Sequence, residues 1–260
     1  MKQAWKIAVG VLAALLILLL LAEAGLRIFI TRQVEDGFTA QQVSAPANPG
    51  APANPGAPVG KADVSFGPTP LTIGMLGGAL PHMSITTPST LVVNGDQFYG
   101  QPAATIEMDK VRLVNNEPIA DELRMRADLP SDFLRATLNQ SIDEQVGDNA
   151  FLDRLINVSS VTTNPAADTF TVAFTRGAAA IELRPVRSGG NVTFESTGTQ
   201  LFGFNLPAEV ATAITNALQE GFAAQEVGNM RLTDVVVTPG GLTMEMYGQG
   251  VNLNDLAVTG

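Results

Sequence analysis

The stretch DVVVTPGGLTMEMYGQGVNL, residues 234–253, sets two apolar, β-branched or methionine-bearing runs on either side of Pro239-Gly240-Gly241. Proline and paired glycines break a ladder and favour a tight reversal, so the stretch reads as two antiparallel strands joined by a turn. The same grammar recurs upstream. Phe170, Val172 and Phe174 alternate with Thr169, Thr171, Ala173 and Thr175 at the period of two expected of a strand with one buried face. AAIELRPV (179–186) and NVTFEST (191–197) flank Ser188-Gly189-Gly190, and DELRMRADL (121–129) has the same texture. Ile106, Met108, Lys110 and Arg112 alternate less cleanly. About eight to ten strands, mainly in antiparallel hairpins, are predicted between residues 61 and 260.

Two helices interrupt these strands. One begins at Pro130 or Ser131 and carries Leu134, Leu138, Ile142 and Val146; the other begins at Pro207 and carries Val210, Ile214, Leu218 and Phe222. Both are entered through a Leu-Pro pair, Leu129-Pro130 and Leu206-Pro207, after strand-like sequence. This suggests either a duplicated strand-strand-helix unit or a common helix entry used twice. The fold class is α+β: a curved, mainly antiparallel sheet with amphipathic helices.

The amino terminus differs from this body. Lys2 and Lys6 precede an unbroken apolar run over residues 7–22, and Ala22-Glu23-Ala24 has the small-x-small form of a signal-peptidase site. Sixteen helical residues rise about 24 Å against a hydrocarbon core of about 30 Å, long for a signal peptide and short for a span. Residues 1–24 are therefore a cleaved signal or a retained membrane anchor, and the chain is expected to be exported. Leu26, Ile30, Val34 and Phe38 then recur every four residues, so residues 25–43 form an amphipathic helix leading to the body. Residues 44–60 contain Ala-Pro-Ala-Asn-Pro-Gly twice, a linker reaching up to about 50 Å where extended.

Residues 64–95 hold no Asp, Glu, Lys or Arg. Pro68, Pro70, Pro81 and Pro88 and five glycines divide them too finely for a second span. A short helical turn from Pro70 to about Leu80 is expected, with Gly77-Gly78 allowing close backbone approach, then a strand from His82 to Val93. Met75, Leu76 and Leu80 are either core under a sheet or the lining of an apolar cavity.

Little reactive chemistry is present. Fifteen Lys and Arg against 25 Asp and Glu give a net charge of −10, which argues against nucleic acid as a partner. With no Cys and His82 the sole histidine, no thiolate or multi-histidine metal site and no serine triad with a spare base can be assembled. His82 reads as a partly buried polar residue. Glu107 with Asp109, and Asp143 with Glu144, are carboxylate pairs on solvated surface more readily than acid-base pairs. Neither an enzyme nor a cofactor is indicated.

VSFGPTPLTIGMLGGALPHMSI (64–85), the apolar run feeding an amphipathic helix, the Leu129-Pro130 helix entry and the closing 235–253 hairpin together resemble the LmeA-type phospholipid-binding proteins of actinobacterial cell envelopes. The likeness runs from about Glu23 to Leu256; the insert at 44–60 is a departure that touches none of the matching positions. The resemblance implies a tubular lipid-binding fold, in which the sheet wraps a helix around an apolar tube. It also implies a place on the outer face of the cytoplasmic membrane and support of lipomannan-type glycolipid synthesis. Phospholipid, of the phosphatidylinositol type by that likeness, the membrane and an envelope glycosyltransferase are the partners it suggests.

The expected function is thus binding, and by extension transfer, of phospholipid close to a membrane. The candidate lining comprises Met75, Leu76, Leu80, Leu134, Leu138, Ile142, Val210, Ile214 and Leu218. A non-catalytic scaffold with a sealed core, binding an envelope enzyme, is the alternative.

Overall fold

A computed structural model of the chain describes residues 2–44, 60–146, 157–201 and 229–257. In chain order these form α1 (Lys2–Ser44), β1 (Asp63–Phe66), α2 (Leu71–Leu76), β2 (Ala79–Thr87), β3 (Val92–Asn94), β4 (Gln97–Tyr99), β5 (Ala104–Val114), β6 (Glu117–Pro130) and α3 (Ser131–Val146). There follow β7 (Val158–Asn164), β8 (Thr169–Phe174), β9 (Ala179–Ser188), β10 (Asn191–Leu201), β11 (Met230–Thr238), β12 (Gly241–Asn252) and α4 (Leu253–Ala257). The strands number twelve among the described residues, more than the eight to ten read from the sequence, because the short β1, β3 and β4 carry too few residues to show a period.

Every strand pairing among the described residues is antiparallel. Six strands form one open sheet in the order β1-β2-β5-β6-β12-β11, four form a second in the order β10-β9-β8-β7, and β3 and β4 make a separate hairpin. Tight turns set the register. Asn115 and Asn116 both have positive φ between β5 and β6, as do Gly189 and Gly190 between β9 and β10, the handedness that matches strand twist. The Pro239-Gly240 turn closes the β11–β12 hairpin, with Thr238 opposite Gly241. At Gly241 a Cβ would lie 2.2 Å from the Leu129 carbonyl oxygen, so β12 enters its ladder against β6 only without a side chain there.

The second sheet packs its apolar face over β11 and β12. Val161, Phe170, Val172, Ile181, Leu183 and Phe194 meet Leu232, Val235, Val237 and Leu242 in one sealed cluster, and Phe170 stands edge-on to Phe194 at 5.8 Å between centroids. The helix α3 starts at Ser131, whose N–H donates to the Gly240 carbonyl, and sends Leu134 into the same cluster. Its Asn139 is buried and replaces a strand neighbour for Val158, accepting that N–H at 2.7 Å and donating to its carbonyl at 3.1 Å. Asp96 of the β3–β4 hairpin in turn accepts from Asn139 and pairs with Arg135.

Two local expectations are corrected. The helical turn at 70–80 is shorter: α2 stops at Leu76 because Gly78 adopts a φ of +78°, and the residue that permits close approach is Gly74, whose Cβ would meet Pro81 Cδ at 2.5 Å. The strand expected from His82 to Val93 begins earlier, at Ala79, and ends at Thr87, where Pro88 cannot donate to the ladder. The second predicted helix, from Pro207 through Phe222, lies outside the described residues, and with it the second half of the duplication.

Helix α1 runs unbroken from Lys2 to Ser44. Leu26, Ile30 and Val34 are half-buried and Phe38 buried, the stripe set by their spacing. No helix among the described residues is long and apolar enough to cross a membrane.

Candidate functional site

Cross-strand partners share a face, so the register of the six-stranded sheet shows what each side presents. One row reads Val64, Ile85, Ile106, Met125, Met246, Leu232 across all six strands. Its neighbour reads Phe66, Met83, Met108, Leu123, Gly248, Met230. On the other side of the first row, Ala104, Ala127, Met244 and Val235 continue the apolar surface. Six of the eight methionines of the chain therefore lie on one face of one sheet. The opposite face carries Ser84, Glu107, Arg124 and Tyr247 in one row and His82, Asp109, Glu122 and Gln249 in the next.

The face is creased. The ladders β2/β5, β5/β6 and β6/β12 all skip the same row, Pro81, Lys110, Asp121 and Gly250, and keep their register on either side of it. Lys110 has a φ of +49° and Gly250 of +61°, and Pro81 has no N–H to give. Each strand thus spends one extra residue at the same level, and the apolar alternation resumes beyond it with Leu80, Val111, Ala120 and Val251. This explains the poor alternation of 106–112: the inward positions are Ile106, Met108 and Val111. A bend shared by four neighbouring strands curves the whole sheet rather than one edge.

At the β11–β12 side the face is roofed by the second sheet. At the β1–β2 side α1 lies along the edge, Arg27 beside Phe66 and Phe38 near Ala62. Val34, Gly37 and Phe38 of α1 with Ala62, Ile85 and Thr87 line an open pocket of about 340 Å³, within the size range of small-ligand clefts. Between these two walls Met83, Ile85, Ile106, Met125 and Met246 are only half-buried, whereas Met108, Ala120, Leu123, Met230 and Val251 beside them are buried.

A polar lock fixes the α1 wall. Pro70, the residue before α2, offers no side-chain cap, and Glu23 of α1 supplies one from across the interface. Its carboxylate accepts the Leu71 and Thr72 N–H groups, each at 2.9 Å, and the Thr72 hydroxyl at 3.1 Å. Arg27 donates to the same carboxylate at 2.6 Å, reaches the Gly67 carbonyl and covers the Phe66 ring at 5.4 Å. Partial burial on its own would raise the Glu23 pKa; the Thr72 and Leu71 N–H groups, Arg27 and the Thr72 hydroxyl outweigh it and hold the pKa at about 2.

The residues singled out from sequence fall in different places. Leu134 is buried in the sealed cluster and Leu138 packs half-buried against it. Leu80 lies half-buried in the apolar row beyond the crease. Met75 and Leu76 stand exposed on α2, Leu76 at 88%. The side chain of Ile142 lies outside the described residues, as do Val210, Ile214 and Leu218 entirely. The sequence reading missed Met83, Met108, Met125 and Met230; their scatter over 147 residue positions becomes a surface only through register. His82 sits on the polar face with Nδ1 at 2.7 Å from Asp109 Oδ1, both partly exposed. Glu107 and Asp109 share that solvated face, and no cluster of potential metal ligands occurs among the described residues.

A family model described as LmeA-like phospholipid-binding matches residues 21–246, most of the chain. The chain belongs to that family. No curated protein and no solved structure matches.

Proposed function

We propose, from that membership and from the half-open methionine face, that this protein holds the acyl chains of a phospholipid between α1 and the second sheet. The observation that carries the reading is the half-buried floor of Met83, Ile85, Ile106, Met125 and Met246 inside an otherwise buried apolar surface. Thioether side chains have three soft torsions and adapt to chains of varied length and unsaturation better than β-branched ones. Each methylene removed from water contributes about 0.8 kcal/mol, so ten of them supply on the order of 8 kcal/mol before association costs. Binding of this kind needs no acid, base or metal, and the role is carriage or presentation of lipid rather than catalysis.

The finer parts of the reading follow from the same support. The creased, curved sheet with α1 as one wall and the second sheet as the other is the open form of a tubular lipid-binding fold. The apolar run at residues 7–22 favours export and a station at the outer face of the cytoplasmic membrane. There the protein transfers or presents phospholipid, of the phosphatidylinositol type, to envelope enzymes such as a glycosyltransferase of lipomannan-type glycolipid synthesis.

Native mass spectrometry with organic extraction tests this on protein purified without detergent. Added mass that extracts as phospholipid is the expected result. A clean apo mass that survives incubation with phospholipid vesicles overturns the reading.

A further inference from the structure

Three exposed apolar elements meet at one end of the six-stranded sheet. The first is α2, whose Ile73, Met75 and Leu76 are all more than half exposed. The second is the tip of the β5–β6 hairpin: Ala79, just after α2, pairs with Arg112, so Leu113 and Val114 project beyond the same end, Leu113 being 74% exposed. The third is α1 itself. Its Phe38 lies near Thr87 at the far end of β2 and its Glu23 caps α2, so residues preceding Glu23 extend past the α2 end. Those residues include Ile17, Leu18, Leu20 and Leu21, all exposed, within the apolar run 7–22. On the other side of Glu23, Ile28 and Phe29 are also exposed, while Glu23 and Arg27 turn toward the body and satisfy each other.

We infer that this end is a membrane-docking surface. Ile73, Met75 and Leu76 with Leu113 and Val114 lie in the interfacial layer of a phospholipid bilayer, and α1 stays attached as the anchor. The occupant is lipid rather than protein because the patch is continuous with the amino-terminal apolar run, whose side chains Ile17, Leu18, Leu20 and Leu21 stand exposed. The chain's net charge of −10 gives no electrostatic attraction to an anionic surface, so docking has to come from inserted apolar side chains. Retention of α1 rests on the lock. Cleavage after Ala24 would remove Glu23, leaving the Leu71 and Thr72 N–H groups without their acceptor and Arg27 without its carboxylate partner, and the cut would fall in unbroken helix. This placement deepens the phospholipid reading, on which it rests. It points the row Leu80, Val111, Ala120, Val251 at the bilayer, with the methionine floor beyond the crease, so an acyl chain leaving the membrane meets a continuous apolar path.

The natural chain has no Cys, so single substitutions Leu76→Cys, Leu113→Cys and, at the far end beyond the Gly240 turn, Ala166→Cys can carry an environment-sensitive dye in the full-length protein. The reconstituted chain is examined in vesicles of phosphatidylcholine and phosphatidylglycerol containing a doxyl-labelled lipid. Quenching several-fold greater at positions 76 and 113 than at 166, with an intact mass that keeps residues 1–24, is expected. Equal quenching at the three positions overturns the docking surface, and a mass lacking residues 1–24 overturns the anchor. Phospholipid extracted from the same preparation separates the two ideas: lipid present without differential quenching sinks this inference alone, and differential quenching without lipid sinks the cavity reading alone.

Discussion

Under the second sheet, Leu232, Val235, Val237 and Leu242 are at most 5% exposed; on the same face, toward β2, Met83, Ile85, Ile106 and Met125 are only half-buried. Both regions come from the same alternation of apolar and polar residues. They differ in what lies above them and in what they are made of. The roofed region is filled by Val, Ile, Leu and Phe, residues of more restricted torsion, with Met244 the one thioether among its buried members. The other half uses Met83, Met108, Met125, Met230 and Met246, and its roof is incomplete among the described residues. The sealed core is built mainly from stiff shapes, and the half-buried floor from more pliable ones.

The largest effect expected of a single change lies in the roofed half. Leu183→Ala, at a fully buried position, should cost about 2–5 kcal/mol in denaturant unfolding, whereas Met125→Ala on the open floor should cost clearly less and alter lipid loading instead. Equal losses at the two sites would erase the distinction. Next, Gly241→Ala should destabilise by about 1–3 kcal/mol, since its Cβ meets the Leu129 backbone of β6. A volume-filling change on the open floor, Ile106→Phe, should shift the unfolding midpoint little and lower the phospholipid recovered by extraction. Strong destabilisation there would mean the floor is packed like the roofed region.

The Glu23 lock sharpens the contrast from the α1 side. Its folded pKa of about 2 lies below the ordinary carboxylate value of 4.5, so its contribution is present above about pH 4.5 and disappears as pH falls toward 2. Thermal unfolding scanned over that window should lose a transition step in the parent chain that Glu23→Gln lacks at every pH. Least of all should come from Arg126→Ala, which breaks a solvent-exposed pair with Glu245 on the polar face and should change stability by under about 1 kcal/mol.

The strand alternation at 169–175, the Gly189-Gly190 and Pro239-Gly240 turns and the α3 stripe were legible because each is a local pattern read within a few residues. Family membership was legible for the same reason, through glycine, proline and apolar positions in order. The stripe Leu26, Ile30, Val34 and Phe38 announced one face of α1, but not that Glu23 at its head would cap a helix 48 residues away. The crease was visible only as bad alternation at Lys110, since a single strand cannot show that Pro81, Asp121 and Gly250 fall beside it.

By itself the sequence determined an antiparallel α+β body, its turns and an apolar amino-terminal run, all properties of neighbouring residues. Tertiary structure alone decided which apolar positions are sealed, which form an open methionine floor and which face outward on α2. Burial depends on what another part of the chain places above a residue, and apolar side chains carry no directional mark of whether that cover is protein, lipid or water.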